Sequence, residues 1–215
     1  MPAAVPPRRT LVKVCGLTRL EDARAAHEAG ADWLGFIVHG ESPRRIEAPA
    51  AGAIARALPG VIAVAVMVAP APDEAARLAR AAGAARVQLH RVDPAAWPAD
   101  FPLPVTFVVP VGADGRVAGP LPPDGALVQL DTAHPERAGG SGTTFPWAAA
   151  AALAAARDVV LAGGLGPDNV AEAIERVRPY AVDTSSRLER SPGIKDHERL
   201  RRFVAAVRGA DAVRA

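Results

Sequence analysis

From Leu11 onward the chain alternates two kinds of segment, and this alternation restricts its fold more than any other feature. Short runs rich in β-branched and apolar residues fall at 11–15, 33–38, 61–68, 86–90, 105–109, 126–131, 158–162 and 180–183. Between most of them lie Ala-, Arg- and Glu-rich stretches with helical spacing. Strands separated by helices pair in parallel, because a crossover of that length brings the next strand alongside in the same direction. The run 61–68 is nearly apolar throughout, as expected of a parallel strand covered on both faces. Eight strands in about 205 residues predict a single-domain α/β protein, a (β/α)8 TIM barrel at the lower end of its size range. An open doubly wound sheet is the alternative. No linker or shift in composition divides residues 11–215, which are expected to form one domain. Residues 1–10, with three prolines, two arginines and no periodicity, read as a flexible leader.

Several helix boundaries carry local signals. Thr18, with Glu21 three residues on, predicts an N-terminal capping box for a helix ending at Gly30. Pro72-Asp73-Glu74 opens a helix ending near Gly83, and Gly166-Pro167-Asp168-Asn169 opens another with Pro167 in its first turn. The Ala-rich segment after Trp147 and residues 196–207 are further helices. Residues 112–125, crowded with Gly and Pro, are expected to be a loop where a barrel would ordinarily have a helix.

Composition narrows the chemistry. Aromatic residues make up only 4% of the 215, so the core must be built from Ala, Val, Leu and Ile. Lys and Arg total 25 against 23 Asp and Glu, a net charge of +2 that makes no strong footprint for a nucleic-acid partner. A single cysteine, Cys15, excludes an internal disulfide and any multi-cysteine metal site, and five scattered histidines argue against zinc. The apolar stretches fall short of the roughly 20 residues that span a bilayer. No signal-peptide pattern is visible at the N-terminus, so a cytoplasmic protein is expected.

In a parallel barrel, reactive groups sit at the C-terminal ends of the strands. Strand 1 ends Lys13-Val14-Cys15, where Lys13 and Cys15 share a face. A thiol beside a lysine is expected to have a lowered pKa suited to a base or nucleophile; the alternative is a small buried apolar side chain. Strand 6 ends in Asp131, a carboxylate costly to place there unless it is paired, caps a loop or handles a proton. Gly163-Gly164 after strand 7, and Asp183 followed by Ser185-Ser186 after strand 8, suggest a phosphate cup at a helix N-terminus, with ordinary turn chemistry as the alternative. Arg44, after strand 2, suits a carboxylate or phosphate. Gln88 and His90 share a face of strand 4. Residues 139–144, GGSGTT, read as a mobile loop near Asp131.

Taken in order, these residues resemble the phosphoribosylanthranilate isomerase family over 11–207. The matching segments include Val12-Lys13-Val14-Cys15-Gly16-Leu17-Thr18, Ser42-Pro43-Arg44, Val87-Gln88-Leu89-His90, Leu130-Asp131 and Leu161-Ala162-Gly163-Gly164-Leu165. Val182-Asp183 with Ser185-Ser186, and Pro192-Gly193-Ile194-Lys195-Asp196, complete the set. Each segment is modest alone, and the ordered set is specific. The resemblance implies an Amadori rearrangement of N-(5-phosphoribosyl)anthranilate to 1-(2-carboxyphenylamino)-1-deoxyribulose 5-phosphate, without cofactor or metal. It implies Cys15 as general base, Asp131 as general acid, Arg44 as the contact for the anthranilate carboxylate, and Gly163, Gly164, Ser185 and Ser186 as the phosphate cup, with Asp183 adjoining. The partner implied is a small phosphosugar, not nucleic acid or membrane, and a monomer or homodimer is expected. A related histidine-pathway isomerase uses aspartate where Cys15 stands. The chain departs from the family pattern at Thr143, Pro146, Arg91 and Arg187, and strand 5 lacks a lysine often found there.

Overall fold

The computed structural model describes residues 9–132 and 144–214. Eight strands close a parallel barrel in chain order: β1 (Leu11–Val14), β2 (Trp33–Ile37), β3 (Ile62–Val68), β4 (Arg86–His90), β5 (Val105–Val111), β6 (Leu127–Thr132), β7 (Val159–Leu161) and β8 (Ala181–Thr184). β1 pairs with both β2 and β8, the latter in the register Lys13 opposite Asp183, and this closure eliminates the open doubly wound sheet. Each strand coincides with one of the eight apolar runs to within two residues at either end.

Six α-helices are described: α1 (Leu20–Glu28), α2 (Ala48–Arg56), α3 (Pro72–Ala81), α4 (Ala148–Ala154), α5 (Val170–Val177) and α6 (His197–Arg214). The segments after β4 and β5 contain none, as the Gly and Pro content of 112–125 predicts for the second of them. After β8 a short 3₁₀ turn leads into a hairpin, β9 (Glu189–Ser191) and β10 (Ile194–Lys195), which the apolar runs do not announce.

Strand periodicity of two separates the two cores. Val12, Leu34, Phe36, Ala65, Met67, Leu89, Val128, Leu130 and Leu161 face outward and pack under the helices. Cys15, Trp33, Val64, Val66, Val160 and Ala181 face the barrel axis. Near the start of the strands the interior holds Trp33, with the Arg86 guanidinium 4.4 Å above its ring and Tyr180 at 6.2 Å between ring centroids.

Two local expectations are corrected. Thr18 is not the cap of α1: its hydroxyl donates to the Gly193 carbonyl at 2.7 Å, pinning the β9–β10 hairpin, and Arg19 takes the cap position. Pro167 lies in the turn before α5, which begins at Val170 with Asn169 at its N-cap. Asn169 still closes the turn, accepting from Gly166 N at 2.8 Å and donating to Gly164 O at 3.1 Å. The expected loop 139–144 lies, except for Thr144, outside the described residues.

Candidate active site

Successive inward-facing positions bring polar side chains to the C-terminal mouth of the barrel. Cys15 follows β1, Gln88 and His90 end β4, Gln129 and Asp131 lie on β6, and Asp183 lies on β8. They surround a cavity of about 770 Å³ that is also lined by Arg44, Gly163, Gly164, Ser185 and Ser186. The eight residues to which the sequence reading gave a catalytic or substrate-binding role therefore all line one hollow, although they come from five separate strand ends.

Beneath the cavity a buried charge pair organises the floor. Lys13 Nζ donates to Asp183 Oδ2 at 2.9 Å, and Gln129 Nε2 donates to the same oxygen at 3.0 Å. Burial opposes the Lys13 charge, but Asp183 and Cys15 together outweigh it, so the lysine pKa lies above its ordinary value. The sequence expectation for Cys15 is overturned here. Burial pushes the thiol pKa up and outweighs the pull of Lys13, while Asp183 adds its own negative charge. Gly35 is what admits these groups: a Cβ there would lie 3.1 Å from both Cys15 Sγ and Lys13 Nζ.

Asp131 stands in the opposite regime from an exposed carboxylate. Burial, then the negative charge of Asp183, raises its pKa to about 7, and the Thr132 N–H at 2.8 Å offsets this only in part. It is thus a carboxyl group that holds a proton near neutrality. His90, bonded to Gln88 at 3.1 Å, is held down to about 3 by burial and by the Lys13 and Arg91 charges, so it stays neutral.

The glycine pair after β7 has left-handed backbone, φ +85° at Gly163 and +64° at Gly164. A Cβ on Gly163 would come within 2.8 Å of Thr132 N. Neither glycine N–H enters a main-chain hydrogen bond with the described residues, so both remain available to an anion. Across the gap, Ser185 Oγ donates to Cys15 O at 3.1 Å. Arg187 turns to Asp168, at 2.6 and 2.7 Å; the Asp168 side chain is exposed and that of Arg187 partly buried.

Two residues beside the site were given no role by the sequence reading. Glu189 accepts from Arg44 Nε at 2.9 Å and Nη2 at 2.9 Å, and Lys195 Nζ joins it at 2.9 Å. Lys195 stands in one of the segments that match the family, but nothing in the local pattern gave it a partner. Among the described residues no group of three or more His, Cys, Asp or Glu is placed to hold a metal ion.

Known proteins resemble this chain over nearly its whole length. A sequence model described as N-(5'-phosphoribosyl)anthranilate (PRA) isomerase matches residues 12–206. The N-(5'-phosphoribosyl)anthranilate isomerase of Myxococcus xanthus is 43% identical over 209 residues, covering 92% of this chain and 95% of that protein. The enzyme of the same name from Geobacter sp. strain M21 is also 43% identical, covering 91% and 97%. Among solved structures, the Thermus thermophilus phosphoribosyl anthranilate isomerase superposes with a TM-score of 0.79 at 38% identity, covering 93% of this chain and 99% of that one. Another phosphoribosyl anthranilate isomerase, solved in complex with reduced 1-(o-carboxyphenylamino)-1-deoxyribulose 5-phosphate, superposes with a TM-score of 0.76 at 31% identity over the same shares. By the extent of these matches and the closed barrel they share, the chain belongs to the N-(5'-phosphoribosyl)anthranilate isomerase family.

Proposed function

We infer that this chain is the isomerase of tryptophan biosynthesis that converts N-(5'-phosphoribosyl)anthranilate into 1-(2-carboxyphenylamino)-1-deoxyribulose 5-phosphate, an aldose–ketose rearrangement. The observation that carries the reading is the pairing, in one cavity, of a buried thiol with a carboxyl group that keeps its proton near neutral pH.

The reaction needs two proton transfers at different atoms of one sugar. Asp131 delivers a proton to the furanose ring oxygen, and the C1–O bond breaks as the ring opens to an iminium. The thiolate of Cys15 then removes the proton at C2, and the electron pair moves into the C1–C2 bond to give an enol-amine, which tautomerises to the ketose. Lys13, next to Cys15, favours the thiolate electrostatically, and Asp183 holds the lysine there. The N–H groups of Gly163 and Gly164, with Ser185 and Ser186, receive the phosphate, while Arg44 takes the anthranilate carboxylate. Asp183 Oδ1, buried and without a hydrogen-bond partner among the described residues, is left to accept from a sugar hydroxyl. The reading carries with it a cytoplasmic enzyme acting on a small phosphosugar, as a monomer or homodimer.

The test is direct. Purified protein is mixed with freshly generated phosphoribosylanthranilate, and the substrate's fluorescence is followed. Decay well above the spontaneous rate is expected; decay at the background rate would leave a phosphate-ligand binder that has lost turnover.

A further inference from the structure

Glu189 is the most heavily engaged carboxylate at the barrel mouth, yet no step of the proton chemistry uses it. It accepts from Arg44 Nε at 2.9 and 3.0 Å, Arg44 Nη2 at 2.9 Å, Lys195 Nζ at 2.9 Å and Gly193 N at 3.3 Å. Its side chain is 4% exposed and that of Lys195 is wholly buried. Lys195 Nζ has a second acceptor, the Ser185 carbonyl, at 3.1 Å. Arg44 thus spends its Nε and Nη2 on Glu189, and its Nη1 has no hydrogen-bond partner among the described residues. Gly16 packs against the stem of Arg44: a Cβ there would lie 2.7 Å from Arg44 Cδ and 3.0 Å from Ser185 Oγ.

Burying three charged groups carries a large desolvation cost, which fold stability alone does not require. What the arrangement does achieve is order. A free arginine must surrender its rotamer freedom when it meets a ligand; one already clamped does not.

We propose that Glu189 and Lys195 are positioning residues for the substrate's carboxylate end. Glu189 holds the Arg44 guanidinium with its remaining edge toward the cavity. Lys195 ties the same carboxylate to the loop bearing Ser185, so the carboxylate-binding arginine and the phosphate-binding loop keep a constant separation. The inference rests on the assignment of Arg44 and Ser185 to the two anionic ends of the substrate.

Steady-state kinetics of the wild type, Glu189→Gln, Arg44→Ala and the double variant test it, with inorganic phosphate as a competitive probe of the other end. Glu189→Gln is expected to raise KM ~10-fold or more while kcat falls less than ~3-fold, as for loss of an interaction made equally in ground and transition states. The double variant should have the KM of Arg44→Ala alone, because without Arg44 there is nothing for Glu189 to orient. Inhibition by phosphate should stay within ~2-fold of wild type in the single Glu189 variant, where Lys195 still holds Ser185. If Glu189→Gln does not fold, Glu189→Asp keeps the charge but shortens the reach, and an intermediate rise in KM is expected. An unchanged or lower KM in a folded Glu189 variant, or additive effects in the double variant, would overturn the inference. A wild type without turnover would overturn instead the functional reading beneath it.

Discussion

Lys13 is the residue through which the charges of the site communicate. Its Nζ contacts Asp183; burial first, and then Asp183, raises the pKa of Asp131, and burial raises that of Cys15 against the opposing pull of Lys13. One buried ion pair therefore adjusts both proposed catalytic groups on top of the shift that burial imposes. Removing either group should be felt in turnover and much less in binding. Cys15→Ala and Asp131→Asn are each expected to lower kcat by at least ~10²-fold with KM close to wild type, measured by the fluorescence assay. Their ionisation also sets a pH dependence. The productive form has Asp131 protonated and Cys15 ionised, yet Asp131 titrates at about 7 and the thiol above its ordinary value. As pH rises toward 7 the thiolate fraction grows while the acid keeps its proton, so kcat/KM should rise. Beyond that point the loss of the Asp131 proton cancels further gain of thiolate, and the profile should be flat until Cys15 is itself ionised, then fall. A kcat/KM profile that already declines from pH 7 would mean that the thiol ionises before the acid.

At the scale of elements, the turn between β7 and α5 carries the most constraint for its length. Gly163 combines left-handed backbone with a Thr132 amide where a side chain would stand. Gly163→Ala is expected to destabilise the fold by more than the ~1–2 kcal/mol of left-handed backbone alone and to raise KM, since the turn must shift to relieve the contact. Gly60 supplies the control. It has the same φ of +85° with no atom within 4 Å of a built Cβ, so Gly60→Ala should show only the backbone cost in a denaturant titration, with normal kinetics. The hairpin β9–β10 is the other element with reach beyond its size. It brings Glu189 and Lys195 under Arg44, and Thr18 holds it through the Gly193 carbonyl.

For the whole molecule, barrel closure brings the two ends of the chain together. Asp211, on α6, accepts from Thr10 Oγ1 at 2.7 Å and Thr10 N at 3.1 Å, just ahead of β1. Arg208, one turn back, donates to Thr10 O at 2.7 Å, Gly30 O at 3.2 Å and Asp32 at 3.2 Å. This cluster lies at the opposite end of the barrel from the cavity. Asp211→Ala should therefore cost ~1–3 kcal/mol, lowering Tm by roughly 2–10 °C, and leave kcat and KM unchanged. A change in kinetics would mean that closure at the base is transmitted to the mouth.

The sequence alone determined an eight-stranded parallel α/β fold and most of the residues at its mouth, and the pairing of β1 with β8 settled that the sheet closes. Apolar runs of strand length alternating with helical stretches leave few ways to cover both faces of a parallel sheet, and period-two spacing assigns Lys13 and Cys15, or Gln129 and Asp131, to one face without any knowledge of neighbours. Those are properties of adjacent residues. Tertiary structure decided who partners whom. Lys13 could have served Cys15 alone, but closure places Asp183, 170 residues away, in register with it, and burial then raises the thiol pKa that a lysine by itself would have lowered. Arg44 and Glu189 are 145 residues apart and meet only because a two-strand hairpin, too short to register as an apolar run, folds back over the mouth. Thr18 satisfies every local rule for a helix cap and is drawn instead to a carbonyl of that hairpin, because the folded chain offers it an acceptor that its neighbours in sequence do not.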